Sequence, residues 1–122
     1  MNMEWPAIRA RITTVVQPGC TILKCDGMGC RPVTSNDSRT ISMRTGVKTS
    51  QTKTISYEML EYAVAVLNAT DRFTSADFRR RFRAAYAQAS CRYSMTGGVL
   101  VAVGAAVLLP ARREGSCIYA VP

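Results

Sequence analysis

Apolar side chains near the start of the chain recur every three or four residues, the spacing of one face of a helix. They are Trp5, Ile8, Ile12 and Val15. This spacing predicts a short amphipathic helix over residues 4–16. Pro6 suits the first turn of that helix, where a backbone N–H has no partner in any case, and the Pro18-Gly19 pair predicts where the helix stops.

Between Cys20 and Ile55 the pattern changes to alternating apolar and polar residues. β-branched residues and serines dominate this stretch, and short polar turns interrupt it, the last of them at Thr45-Gly46. Alternation bounded by turns is typical of short antiparallel strands. We therefore predict four strands, at residues 20–25, 30–34, 39–45 and 51–55. A sheet of this size needs a covering helix, which the 4–16 helix and the residues after the sheet can provide.

Helical spacing returns in the second half of the chain. Ser56 can cap a helix from Tyr57 to about Asn68, and Thr74 with Asp77 three residues later resembles a capping box. The helix that follows Thr74 is predicted over residues 75–86, with an aromatic stripe buried along it: Phe78, Phe82 and Tyr86.

A third helix and a hairpin are predicted to close the chain. Apolar residues dominate from Ser90 or Cys91 to about Val103, and Gly104 can adopt the left-handed conformation that ends a helix. Two short strands and the turn between them follow, at residues 106–109, 117–121 and 111–115.

This order of elements resembles small prokaryotic or phage modules in which a short N-terminal helix and β-sheet precede a winged helix-turn-helix. The residues that carry the resemblance are Trp5 with Ile8, Pro18-Gly19, residues 55–61, Phe73-Thr74, residues 93–109 and Ile118-Tyr119. The resemblance implies an α+β fold, with the N-terminal helix and small antiparallel sheet in residues 1–55 and the winged helix-turn-helix in residues 56–122. In such proteins the third helix commonly enters the DNA major groove. Here that helix contains Gly97-Gly98 and offers few side chains for base edges, so direct base reading is not expected.

Composition limits the classes of function. The 122 residues suffice for one domain, and hydrophobic residues, at 48%, can supply its core. Sixteen Lys and Arg against eight Asp and Glu give a net charge of +8, which favours polyanionic partners. The chain has no histidine, so neither a Ser–His nor a Cys–His nucleophile pair can form. These features predict a binding protein that is not an enzyme.

The cysteines could in principle pair, hold a metal or stay reduced. They are Cys20, Cys25, Cys30, Cys91 and Cys117. The odd number, and a start without signal-peptide features, favour reduced thiols in a cytoplasm. Structural zinc sites usually pair two closely spaced knuckles, and this spacing without histidine predicts no metal and no cofactor. The longest apolar run, residues 97–110, is too short to span a bilayer, so no membrane partner is expected.

Arginines concentrate in residues 72–92, which hold six of them against one carboxylate, that of Asp77. The planar guanidinium can bind two phosphate oxygens at once, although a merely solvated helix face is the alternative interpretation. We predict that this segment and the tip of the closing hairpin bind nucleic acid or a partner. The predicted contact residues are Arg79, Arg80, Arg83, Arg92, Tyr93, Arg112 and Arg113.

Two hypotheses of function follow from these residues. The first is a non-enzymatic winged-helix protein that binds nucleic acid, with contacts to the backbone of duplex DNA. The second is a phage-encoded inhibitor or adaptor, an anti-defence factor of the anti-CRISPR type, that docks on a host protein or nucleoprotein complex. Both use the same basic face, and binding to free duplex would separate them.

Overall fold

The N-terminal half of the chain folds into one helix and a four-stranded antiparallel sheet. The computed structural model describes residues 2–45, 51–113 and 115–122. Helix α1 spans Trp5–Val15, and the strands β1–β4 span Thr21–Leu23, Cys30–Asn36, Thr40–Arg44 and Thr52–Ser56. The strands pair with their neighbours in chain order. The predicted helix and strands are confirmed to within a few residues, while the predicted turn at Thr45-Gly46 lies partly outside the described residues.

The C-terminal half combines four helices with a three-stranded antiparallel sheet. The helices are α2 (Tyr57–Thr70), α3 (Ser75–Arg81), α4 (Arg83–Gln88) and α5 (Cys91–Ala102), and the strands are β5 (Arg72–Phe73), β6 (Val107–Leu109) and β7 (Ile118–Ala120). The sheet order is β5-β7-β6. The fold is therefore mixed α and β with antiparallel sheets.

Local signals in the sequence place the helix ends. The Ser56 side chain accepts a hydrogen bond of 3.2 Å from the backbone N–H of Met59, so it caps α2. Thr74 and Asp77 exchange side chain-to-backbone hydrogen bonds in a complete capping box at α3. Gly104 has φ of +78°, as its predicted role in ending α5 requires. These predictions are confirmed.

Two parts of the C-terminal half differ from the predictions. The single helix expected over residues 75–86 is two helices, because the backbone breaks at Phe82 (φ −125°, ψ 54°). The Phe82 ring packs 5.6 Å from the ring of Tyr62 on α2, and tertiary contacts of this kind override weak local helix preference. Strand β5 was not predicted, since two residues are too few to show a periodic pattern.

Both halves share one hydrophobic core, and helix α5 lies at its centre. Every residue from 93 to 100 is buried. Gly98 faces Ile22 of β1, and Gly97 faces the ring of Tyr119 on β7, so a strand from each half approaches this helix closely. The predicted division between residues 55 and 56 falls where β4 leads directly into α2.

A disulfide joins the two halves. Cys25, after β1, is bonded to Cys117, before β7, across 92 positions of sequence and with a Cα–Cα distance of 5.5 Å. The prediction that all thiols are reduced is wrong for this pair, since sequence spacing cannot reveal a contact made only by folding. Cys20, Cys30 and Cys91 are free.

The described residues show neither a metal cluster nor a membrane-spanning helix. They contain no group of three or more Cys, Asp or Glu side chains placed to hold a metal ion. Within the same ranges, no helix has the length and apolar character needed to cross a membrane.

Candidate nucleic-acid interface

Helices α3 and α4 carry three of the predicted contact residues on the surface. Arg79, Arg80 and Arg83 are all exposed. The Arg80 guanidinium lies 3.6 Å from a carboxylate oxygen of Asp77, and its side chain is still 74% accessible. An ion pair this exposed is worth little, so Arg80 can exchange Asp77 for another anion at small cost.

The loop between β6 and β7, described at residues 110–113 and 115–117, reaches the same helices. The position that a Cβ atom of Gly115 would take lies 3.1 Å from the hydroxyl oxygen of Tyr86 on α4. The ring of Tyr86 in turn lies 5.9 Å from the guanidinium carbon of Arg79. Tyr86 therefore connects the arginines of α3 to the β6–β7 loop.

Arg112 and Arg113 are exposed on this loop. A turn closes next to them, in which the N–H of Ser116 donates to the carbonyl of Arg113 at 3.1 Å. The start of the loop is fixed by a hydrogen bond of 3.1 Å that the N–H of Ala111 donates to the carbonyl of Cys25. We use the name basic surface for five exposed arginines of α3, α4 and this loop: Arg79, Arg80, Arg83, Arg112 and Arg113. Arg81 of α3 is also exposed, but it forms an ion pair with Glu58.

Arg92 does not belong to the basic surface, because its guanidinium donates hydrogen bonds to acceptors within the protein. It donates to the carbonyl of Thr54 on β4 at 3.0 Å and to the carbonyl of Ala85 on α4 at 3.0 Å. It also donates to the side chain of Gln88 at 3.2 Å. The prediction of Arg92 as a primary contact is therefore corrected: this arginine ties the end of α4 to an edge strand of the first sheet.

Tyr93 is the second predicted contact that the structure places elsewhere. Its side chain is completely buried. Its hydroxyl lies 2.7 Å from the carbonyl of Cys117 and 3.0 Å from that of Phe73, and its ring packs on Phe73 and Phe78. A buried tyrosine cannot stack on a nucleic-acid base, so the prediction of Tyr93 as a contact residue is wrong.

Arg81, which the prediction left out, points toward α2. Its guanidinium donates to the Glu58 carboxylate at 2.8 Å and lies 5.0 Å from the centre of the Phe82 ring. Two arginines of α3 thus have partners on different helices: Arg79 lies over the Tyr86 ring of α4, and Arg81 pairs with Glu58 of α2. These partners depend on the packing of the helices, which the sequence does not show.

Burial of α5 limits how this surface can contact a nucleic acid. The helix that would enter the major groove in a winged helix-turn-helix is enclosed by the protein over residues 93–100. Base edges are read by side chains that reach into a groove. The exposed arginines, in contrast, offer guanidinium groups suited to phosphates. The arrangement can therefore bind a polyanionic backbone but has no exposed helix face at α5 for base recognition.

Comparison with known protein families, curated proteins and solved structures finds no match.

Proposed function

We propose that the protein binds the backbone of nucleic acid, most simply duplex DNA, through the basic surface and without reading base sequence. The observation that carries the proposal is the packing of the β6–β7 loop on α4, which brings two groups of exposed arginines to adjoining elements. Phosphate contacts of this kind position a protein on a duplex and carry no sequence information.

Element order supports a winged helix-turn-helix as the scaffold for this activity. Residues 57–122 run helix, strand, helices, strand, strand, and the last strand lies between the other two in the sheet. In this proposal the β6–β7 loop is the wing, and α4 is an additional short helix between the second and third helices of the motif. The buried third helix departs from the usual mode of groove binding.

A salt titration of DNA binding tests the proposal. Two unrelated duplexes are titrated with wild type, Arg79→Ala/Arg83→Ala and Arg112→Ala/Arg113→Ala. Each lost phosphate contact should flatten the slope of log affinity against log salt by about 0.9, or about 1.8 for a double variant. Wild type should bind both duplexes with similar affinity.

Arg11→Ala/Arg44→Ala is the matched control. It removes the same charge from exposed positions on α1 and β3, outside the basic surface, and should leave the slope close to that of wild type. If wild type does not bind either duplex at low salt, the proposal fails. A slope reduced equally in the control would mean that only net charge matters. Tight binding to one duplex alone would contradict the absence of base reading.

Docking of an inhibitor or adaptor on a host protein is the second candidate, and exposed apolar side chains favour it. Met28 is 85% exposed, and Val107 and Leu109 on edge strand β6 are 41% and 46% exposed. The Met28 turn adjoins β6, because a Cβ at Gly27 would lie 3.3 Å from Pro110. Clustered exposed apolar residues often mark protein contacts. This candidate would be supported over the first if wild type bound a purified host complex but no free duplex, and if Val107→Glu/Leu109→Glu abolished binding to that complex.

A further inference from the structure

Cys25 holds both ends of the β6–β7 loop. Its carbonyl accepts the hydrogen bond from the N–H of Ala111 at the start of the loop, at 3.1 Å. Its sulfur is bonded to Cys117 at the end of the loop and lies 3.7 Å from the carbonyl oxygen of Arg113. One residue of the N-terminal half thus fixes the base of a loop that belongs to the C-terminal half.

We infer that the Cys25–Cys117 disulfide is a redox control on the basic surface, because it orders the loop that presents Arg112 and Arg113. The effect on binding rests on the proposed function, whereas the effect on the loop does not. With the bond intact, the loop that carries the two arginines is held at Cys25 and lies close to α4 at Gly115. With the bond reduced, the end of the loop at Cys117 loses its covalent anchor to Cys25.

The redox step is a thiol–disulfide exchange with a dithiol reductant. A thiolate of the reductant attacks one sulfur, the Cys25–Cys117 bond breaks, and a mixed disulfide forms. The second thiolate of the reductant then displaces the remaining cysteine. The reductant is oxidised to its own disulfide by two electrons, and the protein gains two electrons and two protons as two thiols.

Burial places a condition on this exchange. Cys25 and Cys117 are 2% and 1% exposed, so a reductant reaches the bond only after local opening. An exposed turn directly follows Cys25 at residues 26–29, where Met28 projects into solvent. Short turns of this kind open more readily than the core. Reduction is therefore expected to be slow compared with that of an exposed disulfide.

Hydrogen exchange of the intact protein tests the inference without relying on DNA. Amides of residues 111–116 are compared in the oxidised protein, after dithiothreitol, and after reoxidation. Exchange there should become at least tenfold faster on reduction and return on reoxidation. Amides of α5 serve as the internal reference and should change much less. Equal acceleration in both places would show a general loss of stability and overturn the inference, as would no change in the loop.

Variants separate this disulfide from the other thiols. Cys25→Ser/Cys117→Ser should exchange like the reduced protein and should no longer respond to dithiothreitol, whereas Cys30→Ser, at an exposed free thiol, should behave like wild type. If the double variant does not fold, reduced wild type supplies the same comparison. In DNA titrations, reduction should flatten the slope of log affinity against log salt by about 1.8, the change expected for Arg112→Ala/Arg113→Ala. Unchanged exchange overturns the redox control, while absence of DNA binding by oxidised wild type overturns only the proposed function.

Discussion

The substitution Gly98→Ala tests whether α5 is enclosed by the protein. This enclosure is the reason why α5 is not expected to read bases in the major groove. In an exposed helix, replacing glycine by alanine stabilises the protein by about 1 kcal/mol, because alanine loses less backbone entropy. In this structure a Cβ at position 98 would overlap the side chain of Ile22 and lie 2.9 Å from the carbonyl oxygen of Leu23. In an enclosed helix, Gly98→Ala is therefore expected to destabilise the protein.

The magnitude follows from these contacts. Adding a methyl group to a packed core typically costs about 1–3 kcal/mol, and the upper part of this range applies because one of the obstructing atoms is backbone. The helix-propensity gain of about 1 kcal/mol offsets part of this cost. We expect Gly98→Ala to lower the free energy of unfolding by about 2 kcal/mol. Gly97→Ala should do the same, since its Cβ would overlap the buried ring of Tyr119.

Urea unfolding followed by circular dichroism measures both variants. Gly104→Ala is the control: no atom lies within 4 Å of its Cβ position, and its φ of +78° disfavours alanine through backbone strain alone. Its cost should be about 1 kcal/mol. An increase in stability for Gly97→Ala and Gly98→Ala would refute the enclosure of α5 and return this helix to the set of possible DNA-reading elements.

Three further predictions concern a core aromatic pair, two carboxylates and a structural arginine. Phe78→Ala should cost about 3–5 kcal/mol of unfolding free energy and Phe82→Ala about half as much, because Phe78 is fully buried and Phe82 only partly; equal losses in urea titrations would contradict this burial. Backbone N–H groups, chiefly those of Met28 and Thr40 respectively, lower the pKa of Asp26 and of Asp37. A carboxyl group whose pKa is lowered by folding stabilises the fold at pH values above its unfolded pKa of about 3.9, and this stabilisation is lost as the pH falls through the folded pKa. The free energy of unfolding of Asp26→Asn/Asp37→Asn should therefore fall less steeply at acidic pH than that of wild type. An unchanged pH dependence would contradict the hydrogen bonds in these two turns. Arg92→Ala should lower the melting temperature yet leave the salt slope of DNA binding unaltered, and a slope reduced by about 0.9 would return Arg92 to the basic surface.

The sequence predicts local elements well where one short-range interaction decides the outcome. Ser56 and the Thr74–Asp77 pair mark helix starts because a side-chain oxygen accepts from a nearby backbone N–H, a choice made within three residues. The break at Phe82 depends on a ring of α2, twenty positions away at Tyr62. The cysteine pairing depends on a contact across 92 positions. Neither leaves a periodic signal in the chain.

The candidate site divides in the same way. Clustering of arginines in the sequence finds Arg79, Arg80 and Arg83, whose exposure follows from their polar faces. Charge alone could not separate them from Arg92, which differs because three acceptors happen to surround its guanidinium in the fold. Tyr93 lies on the same helix as the start of the apolar run at residues 97–110, and that run could have indicated burial, since a helix that is apolar on all faces belongs to a core.

Under the proposed function, enclosure of α5 leaves the contacts with DNA to the arginines of α3, α4 and the loop. A protein that inserts a helix into the major groove gains affinity and specificity from one element. With that helix surrounded by a strand from each half of the chain, affinity for a polyanion has to come from surface charge on the elements that border it. Gly97 and Gly98 make this arrangement possible, because any larger residue would separate α5 from β1 and β7. The glycine pair thus links the packing of the core to the proposed mode of binding, in which shape and charge, and not base identity, select the partner.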